Sequence, residues 1–475
     1  MSIGGLRAVK LGGDATVRQR TRRLASRTSA AVTAGLALSW YEFRMNWSLA
    51  NRSQGVSDAI LPKAPPAAEA GAAPAARPAG KPVWALVIPW DTAEPGGVSQ
   101  VVINLAEALR DNGRYEPVVI VLDWRATGRV EMRDGIRHLF IGLRTPDPSG
   151  IGRLGRMRYA ALGWFEARRF QHLLRVLDAR VVNFHYPGPA AEYLLKSRER
   201  ARYSILFSLH GLDILESVRK GPAERARYVR MLAEGDAVVV VSHAFAALVS
   251  DLAPELAGRT RVVHNGVTPR RLRAGQPPDI ALPRRYILNV ATFEAKKGQK
   301  HLIEAFARLA ASDPDLHLVI AGRPEGALPP LVEQIRALGL EDRVLLLRNV
   351  PHAQIGSLFA SASLFCLSSL AEPFGIVLLE AGLFGLPVVA TRVGGVPEIV
   401  RNGENGILVE AGDGAALAEA MRRLLDHPEE AAALADRLRR RVLAEFRWPA
   451  SVARYVALAE QVDPVAAAAR LKPAG

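Results

Sequence analysis

Cysteine is almost absent from this 475-residue chain, and the single Cys366 excludes an internal disulfide and any cysteine-rich metal site. It stands in the apolar run Ser363-Leu364-Phe365-Cys366-Leu367 and reads as a small core residue. No His/Cys/Asp cluster has metal-ligand spacing. Asp313-Pro314-Asp315 formally matches Asp-x-Asp, but it falls on a short helix-to-strand connection and reads as a turn. The chain also lacks a Gly-x-Ser-x-Gly nucleophile motif, and the loop Glu94-Pro95-Gly96-Gly97 after the first strand does not have the Gly-x-Gly-x-x-Gly spacing of a dinucleotide fingerprint. Without a zinc finger or an aromatic RNA-binding strand motif, nucleic-acid binding rests on charge alone. Long apolar runs are missing as well. The uncharged stretch of the first part, residues 28–41, is shorter than the roughly 20 residues that cross a bilayer.

What is present is ample apolar content, 49%, enough for sizeable cores in two or three domains. The net charge of +15 is spread unevenly. Residues 1–61 carry nine basic residues against three acidic ones. A second basic block includes Arg153, Arg156, Arg158, Arg168, Arg169 and Arg175. Such surfaces favour membrane headgroups, nucleic acid or phosphorylated substrates, and a genome rich in G and C gives the same composition. In residues 151–176 the arginines interleave with Met157, Tyr159, Leu162, Trp164, Phe165, Phe170 and Leu173. That pattern suits an interfacial membrane contact or a helix packing its apolar face on the first domain. For residues 1–61 three readings stay open: a basic arm on the inner membrane face, an export signal around Thr21-Arg22-Arg23-Leu24, or a start codon placed too far upstream.

Residues 62–82, rich in Pro, Ala and Gly, form a linker. From residue 83 strands alternate with helices. Strands are predicted at 83–90, 115–122, 181–184, 204–209, 237–241 and 261–263, and again at 286–290, 317–320, 344–347, 364–367 and 387–391. Residues 98–111 show helical apolar spacing at Val101, Val102, Leu105, Ala108 and Leu109. This alternation predicts an α/β protein with parallel sheets in two Rossmann-like domains facing a central cleft. The expected first domain covers residues 83–270 and the second 286–446, with a Pro-rich hinge at 271–285 between them. Residues 447–475 form a last helix and tail, the helix returning to the first domain.

The most informative stretch runs from Glu372-Pro373-Phe374-Gly375-Ile376 to Glu380. Glu372 sits on a strand-to-helix loop, which in an open α/β sheet faces the ligand crevice. Glu380 lies inside an apolar helix expected over residues 374–386. The two carboxylates are too far apart to share a proton, and they suit two hydroxyl-bearing ends of one extended ligand. In the first domain, Glu94-Pro95-Gly96-Gly97 joins a strand to a helix, so backbone can approach a ligand and helix N–H groups can meet anionic oxygen. Lys296-Lys297-Gly298 opens a helix after the first strand of the second domain, where a lysine can neutralise a departing phosphate. His210-Gly211 ends one strand and His185 another, while Arg323 follows Ala321-Gly322.

Taken in order, Gly96-Gly97, His210-Gly211, Asn265-Gly266-Val267, Lys297-Gly298, Ala321-Gly322, Glu372-x7-Glu380, Gly394-Gly395-Val396-Pro397-Glu398 and Trp448 resemble the retaining glycosyltransferases of family 4. The resemblance covers residues 83–460 and implies the two-domain GT-B architecture, transfer of a hexose from UDP- or GDP-hexose to a hydroxyl acceptor, and no bound metal or other cofactor. It implies that Glu380 holds the ribose hydroxyls, Glu372 the sugar hydroxyls, and Lys297 the diphosphate. The backbone of Phe374, Gly375 and Ile376 would line sugar and phosphate, with Gly96, Gly97, Lys296, Gly322 and Arg323 around the donor. His210 would meet the transferring sugar; His185, from its own place in Phe184-His185-Tyr186-Pro187, is a weaker candidate on the acceptor side. Many members have arginine where Thr292 stands here, and Lys296 is the candidate for that missing charge. Expected partners are the donor, a glycan or lipid-linked acceptor and an anionic membrane surface, with no nucleic acid. The expected place is the cytoplasm or the inner face of the membrane. A degenerate GT-B scaffold that binds nucleotide-sugar or membrane, or a GT-B epimerase, remains the alternative.

Overall fold

The computed structural model describes residues 81–94, 96–123, 128–142, 153–196, 202–269 and 281–463. The expected N-terminal arm, nearly all of the linker and most of the expected hinge lie outside them.

The first sheet contains β1 (Val83–Ile88), β2 (Glu116–Leu122), β3 (Arg129–Arg133), β4 (Ile136–Ile141), β5 (Ala179–His185), β6 (Ser204–Ser208), β7 (Ala237–Val240) and β8 (Thr260–Val262), in the order β3-β4-β2-β1-β5-β6-β7-β8. Every pairing is parallel except β3 with β4. The second contains β9 (Tyr286–Val290), β10 (His317–Gly322), β11 (Val344–Arg348), β12 (Leu364–Leu367), β13 (Val388–Thr391) and β14 (Ile407–Val409), all parallel, in the order β11-β10-β9-β12-β13-β14. That is a doubly wound order in which the chain reverses direction beside β9, and in the first sheet beside β1. Ligand crevices belong at those reversals.

Local sequence explains the elements. Several strands at the sheet centres are continuous apolar stretches, because both faces are covered by helices; β1, VWALVI, is buried at all six positions, and β12, LFCL, at all four. Helix Gly97–Asn112 turns Val101, Val102, Leu105 and Leu109 inward and stops at Gly113, whose φ of 79° is a left-handed cap donating its N–H to the Leu109 carbonyl. Each fully buried Leu or Phe of these cores contributes roughly 1.5–3 kcal/mol.

The strands missed from sequence are β3, β4 and β14. The β3–β4 hairpin turns at Asp134-Gly135, both with positive φ (50° and 75°), the geometry of a two-residue hairpin loop. The helix expected over 374–386 is shorter, Ile376–Leu383, since Gly375 at φ 95° breaks it from the preceding loop. Only part of the interval between Glu372 and Glu380 is therefore helical.

Helix Trp448–Gln461 packs Trp448, Val452, Tyr455, Val456 and Ala459 into the first domain's core. The chain thus crosses between the domains a second time. At that crossing Val267 N–H donates to the Phe446 carbonyl (2.9 Å), and Gly266 packs so tightly that a Cβ would lie 2.4 Å from Trp448 N. On helix Arg153–Val176, Ala167, Phe170 and Leu174 are buried, whereas Trp164 (56% exposed) and Phe165 face solvent. Arg168 stacks over the Trp164 ring at 4.4 Å. Among the described residues no helix is long and apolar enough to cross a membrane.

Candidate active site

Three loops meet at the carboxyl ends of β9, β12 and β13, and glycines let their backbones touch. Gly298, at φ 64°, lies where a Cβ would stand 2.0 Å from the Ser368 carbonyl oxygen. Gly394, at φ 46°, presses in the same way on the Glu372 carbonyl, which also accepts the Gly395 N–H at 3.1 Å. Leu370 N–H donates to the Lys296 carbonyl at 2.7 Å, and Ser368 Oγ to the Lys297 carbonyl at 3.0 Å. The Glu372 loop is thereby clamped between Lys296-Lys297-Gly298 and Gly394-Gly395. Within it Lys297 Nζ donates to Glu372 Oε2 at 2.8 Å, and Ser369 Oγ adds a longer contact of 3.3 Å. Both members of the pair are largely shielded from water.

Behind this loop starts helix Ile376–Leu383, with no side chain capping its first turn. Unmet N–H groups at such a terminus favour an anionic oxygen. The Phe374 side chain turns away from the site, 2% exposed, and lies parallel to the His264 ring at 5.5 Å. Only its backbone faces the loop. Glu380 stands one turn into the helix. No hydrogen bond or ion pair holds its carboxylate among the described residues, and burial pushes its pKa up to about 7. A half-buried carboxylate without donors is costly unless a ligand supplies them.

The facing wall comes from the first domain. Gly211 packs on the Glu372 loop so closely that a Cβ would lie 2.5 Å from Pro373 Cγ, which sets His210 beside that loop. Asp213 shapes the turn: its carboxylate accepts the N–H groups of His210 (2.8 Å), Gly211 (3.0 Å) and Ile214 (3.0 Å). Burial raises the Asp213 pKa to about 6 against those donors, and lowers that of His210 to about 4. His210 is therefore neutral near pH 7. His185, at the end of β5, is 1% exposed, with its Nδ1 3.2 Å from His210 Nε2. It stands behind His210, so any influence on an acceptor passes through that ring. In front of helix Gly97–Asn112, a Cβ added at Gly96 or Gly97 would meet nothing within 4 Å, leaving open space at an uncapped N-terminus.

Contacts across the domains, invisible in the sequence, complete the site. Ser242 Oγ donates to the Pro373 carbonyl at 2.6 Å. Glu398 accepts the N–H groups of His243 (3.1 Å) and Ala244 (2.9 Å), capping helix His243–Leu252 from the other domain. His264 Nε2 donates to the same carboxylate at 2.8 Å. His243, His264 and Glu398 also bring one ligand atom each within 4.8 Å of one another, but the carboxylate is already committed to these three donors.

Other expected positions have different partners. Gly322 meets the Ala291 carbonyl, 1.9 Å from a notional Cβ, so packing of β10 on the loop after β9 requires glycine there. Arg323 pairs with Glu325 at 2.9 Å and Lys296 with Glu294 at 2.6 Å. Thr292 Oγ1 donates to that same Glu294 at 3.0 Å, tying down the residue that stands where arginine was expected. Asp313 lies before the amino end of β10, paired with Arg285, at the edge opposite the loops of the site. Burial pushes the Cys366 thiol well up, as befits a core residue.

Comparison with known proteins matches this architecture. The model of the glycosyltransferase family 4 domain fits residues 95–271, and that of the glycosyl transferases group 1 fits residues 275–441. The chain is 28% identical over 286 residues to N-acetyl-alpha-D-glucosaminyl L-malate synthase of Bacillus anthracis, covering 59% of this chain and 73% of that one. It is 29% identical over 399 residues to D-inositol 3-phosphate glycosyltransferase 1 of Catenulispora acidiphila, covering 77% and 90%. The solved structure of Anabaena HepE with UDP and glucose superposes with a TM-score of 0.61 at 21% identity, covering 79% of this chain and 98% of that one.

Proposed function

Because the chain belongs to the family 4 glycosyltransferases and has their GT-B fold, we propose that it is a retaining, metal-independent enzyme transferring a hexose from a nucleoside-diphosphate sugar to a hydroxyl acceptor. The observation that carries this reading is Glu380: a carboxylate with no protein partner among the described residues, one turn inside a helix whose uncapped start suits a diphosphate. Ribose hydroxyls would supply the donors it lacks. Lys297 and the N–H groups from Gly375 and Ile376 would hold the diphosphate, with Lys296 near by. Glu372, released from Lys297, would accept from the sugar's hydroxyls, and His210 would hydrogen-bond the sugar from the other domain. The open Gly96-Gly97 turn leaves room for diphosphate and acceptor.

Charge grows on the departing diphosphate in the transition state. A fixed lysine and helix N-terminus stabilise it there more than in the ground state, and closure of two domains aligns the acceptor. With Glu372 taken up by the sugar's hydroxyls and His210 by a hydrogen bond to the sugar, this reading assigns neither as a covalent nucleophile; attack on the face vacated by the leaving group fits it. The complex of Anabaena HepE with UDP and glucose supports UDP-hexose, with GDP-hexose the other candidate donor. A cell-envelope glycan or lipid-linked acceptor suits the basic surface, and the relatives named for L-malate and D-inositol 3-phosphate add small hydroxyl compounds. Incubation of the full chain with nucleotide-sugars and an acceptor panel, followed by NMR of the product's anomeric proton, tests the reading. An α-linked product from an α-donor supports it; a β-linked product overturns retention, and donor binding without any transfer favours a scaffold.

A further inference from the structure

His185 is the one buried histidine of the site that the proposed chemistry leaves without a task. Its Nδ1 lies 3.2 Å from His210 Nε2, and the two ring planes differ by only 23°. The centroid separation of 5.4 Å equals that contact plus about one ring radius on each side, so the rings meet edge to edge. This is an in-plane hydrogen bond between two imidazoles, and it needs one donor nitrogen and one bare nitrogen. The far side of His185 decides which. Its Nε2 is buried and has no hydrogen-bond partner among the described residues. A proton there would be an orphaned buried N–H, which costs more than a bare acceptor nitrogen in the same place. The proton therefore belongs on His185 Nδ1, which donates to His210 Nε2. His210 must then carry its own proton on Nδ1, and no protein group holds that nitrogen among the described residues.

We infer that His185 is a positioning residue that fixes His210 in the Nδ1–H form, so that the ring offers the substrate a hydrogen-bond donor and not an acceptor. Two further constraints act on the backbone that carries this ring: Asp213 holds the His210 backbone N–H, and Pro373 packs against Gly211. Burial keeps both imidazoles neutral around pH 7, so the tautomer does not compete with a doubly protonated form. A donor at this place selects a sugar oxygen with a free lone pair, and it strengthens if negative charge builds on that oxygen. The role in transfer rests on the proposed glycosyltransferase reading, whereas the tautomer itself does not.

The experiment is a two-bond proton–nitrogen NMR correlation on the full chain labelled with 15N-histidine, without ligand, with the His210 signals assigned by their loss in His210→Gln. The expected result is a protonated Nδ1 and a bare Nε2 on His210. His185→Leu removes the donor and should turn His210 into a mixture of tautomers, with kcat/KM for transfer lower by roughly tenfold, the worth of one hydrogen bond of this kind. His185→Asn places an amide N–H near the lost Nδ1 and should restore both the tautomer and most of the rate. A wild-type His210 protonated at Nε2, or a tautomer unchanged in a folded His185→Leu variant, overturns the proposal. Since the spectrum is read on the free protein, failure of the tautomer is distinguishable from failure of sugar transfer.

Discussion

Glu398 and His264 join the two domains: Oε2 of the one accepts from Nε2 of the other at 2.8 Å, and the same carboxylate caps the helix that starts at His243. The contact adjoins the segment where the chain crosses between domains, with Phe446 5.6 Å from the His264 ring. It therefore acts close to that crossing, tying the last residue of Gly394-Gly395-Val396-Pro397-Glu398 to the first domain. Glu398→Ala leaves two helix N–H groups and a shielded imidazole unmet. We expect a loss of about 2 kcal/mol in unfolding free energy and a higher KM for the donor. Denaturant unfolding and steady-state kinetics check both; an unchanged KM would confine Glu398 to stability.

Lys297 has Glu372 as its partner in the free protein, 2.8 Å away, and the diphosphate in the proposed complex. Lys297→Met removes charge stabilisation at the leaving group while keeping the bulk of the side chain. The expected fall in kcat is about 10²–10³, the size seen when one fixed electrostatic group is lost. Lys297→Arg should recover part of it. Single-turnover release of the nucleoside diphosphate is the measurement, and a loss confined to KM would assign the lysine to ground-state binding only.

The Glu380 carboxyl gives a signed pH dependence. Burial raises its pKa from the ordinary 4.5 to about 7 on folding, so the folded protein binds more protons than the unfolded chain between those values. The stability this group contributes is present below pH 4.5 and is lost as pH rises through 7. Glu380→Gln should therefore stabilise the ligand-free protein by roughly 1–3 kcal/mol at pH 8 and by almost nothing at pH 4. Donor affinity should move the other way in the wild type, rising from pH 6 to 8 as the carboxylate ionises to accept from ribose. Calorimetric titration across that range reads this directly; a flat profile contradicts the ribose role.

Gly298→Ala tests the clamp without touching a charged group. The new Cβ would collide with the Ser368 carbonyl oxygen at 2.0 Å from a backbone held at φ 64°. A destabilisation of about 3 kcal/mol is expected, together with a fall in kcat, because Lys297 and Glu372 ride on the two loops that must separate. Alanine at Gly96, where a Cβ meets nothing within 4 Å, should leave unfolding unchanged.

Much of this was legible in the chain. Continuous apolar strands such as β1 and β12 announced themselves, because parallel strands buried on both faces have no polar alternation to disguise them. The Glu372 loop was legible because its residues are neighbours in sequence. The β3–β4 hairpin was missed, although Asp134-Gly135 carried the turn signal, since Arg129–Arg133 is a half-exposed edge strand with no apolar run. What stayed hidden is long-range: Lys297 with Glu372, Ser242 with Pro373, and Glu398 with His264 are pairs that only the folded sheets bring together. Asp213 lay beside His210-Gly211 in plain sight, but three backbone N–H groups folding onto one carboxylate cannot be read from spacing alone.

A nucleotide-sugar site built around Glu380 is open to a single decisive measurement, thermal unfolding of the full chain at pH 8. Wild type and Glu380→Ala would each be scanned with UDP-, GDP- and ADP-sugars. At a hundredfold excess over its dissociation constant, a true donor adds about 2.7 kcal/mol of stability. One nucleotide is expected to stabilise the wild type and to leave Glu380→Ala unmoved. A folded wild type that responds to none of them, or a variant that responds equally, would contradict it.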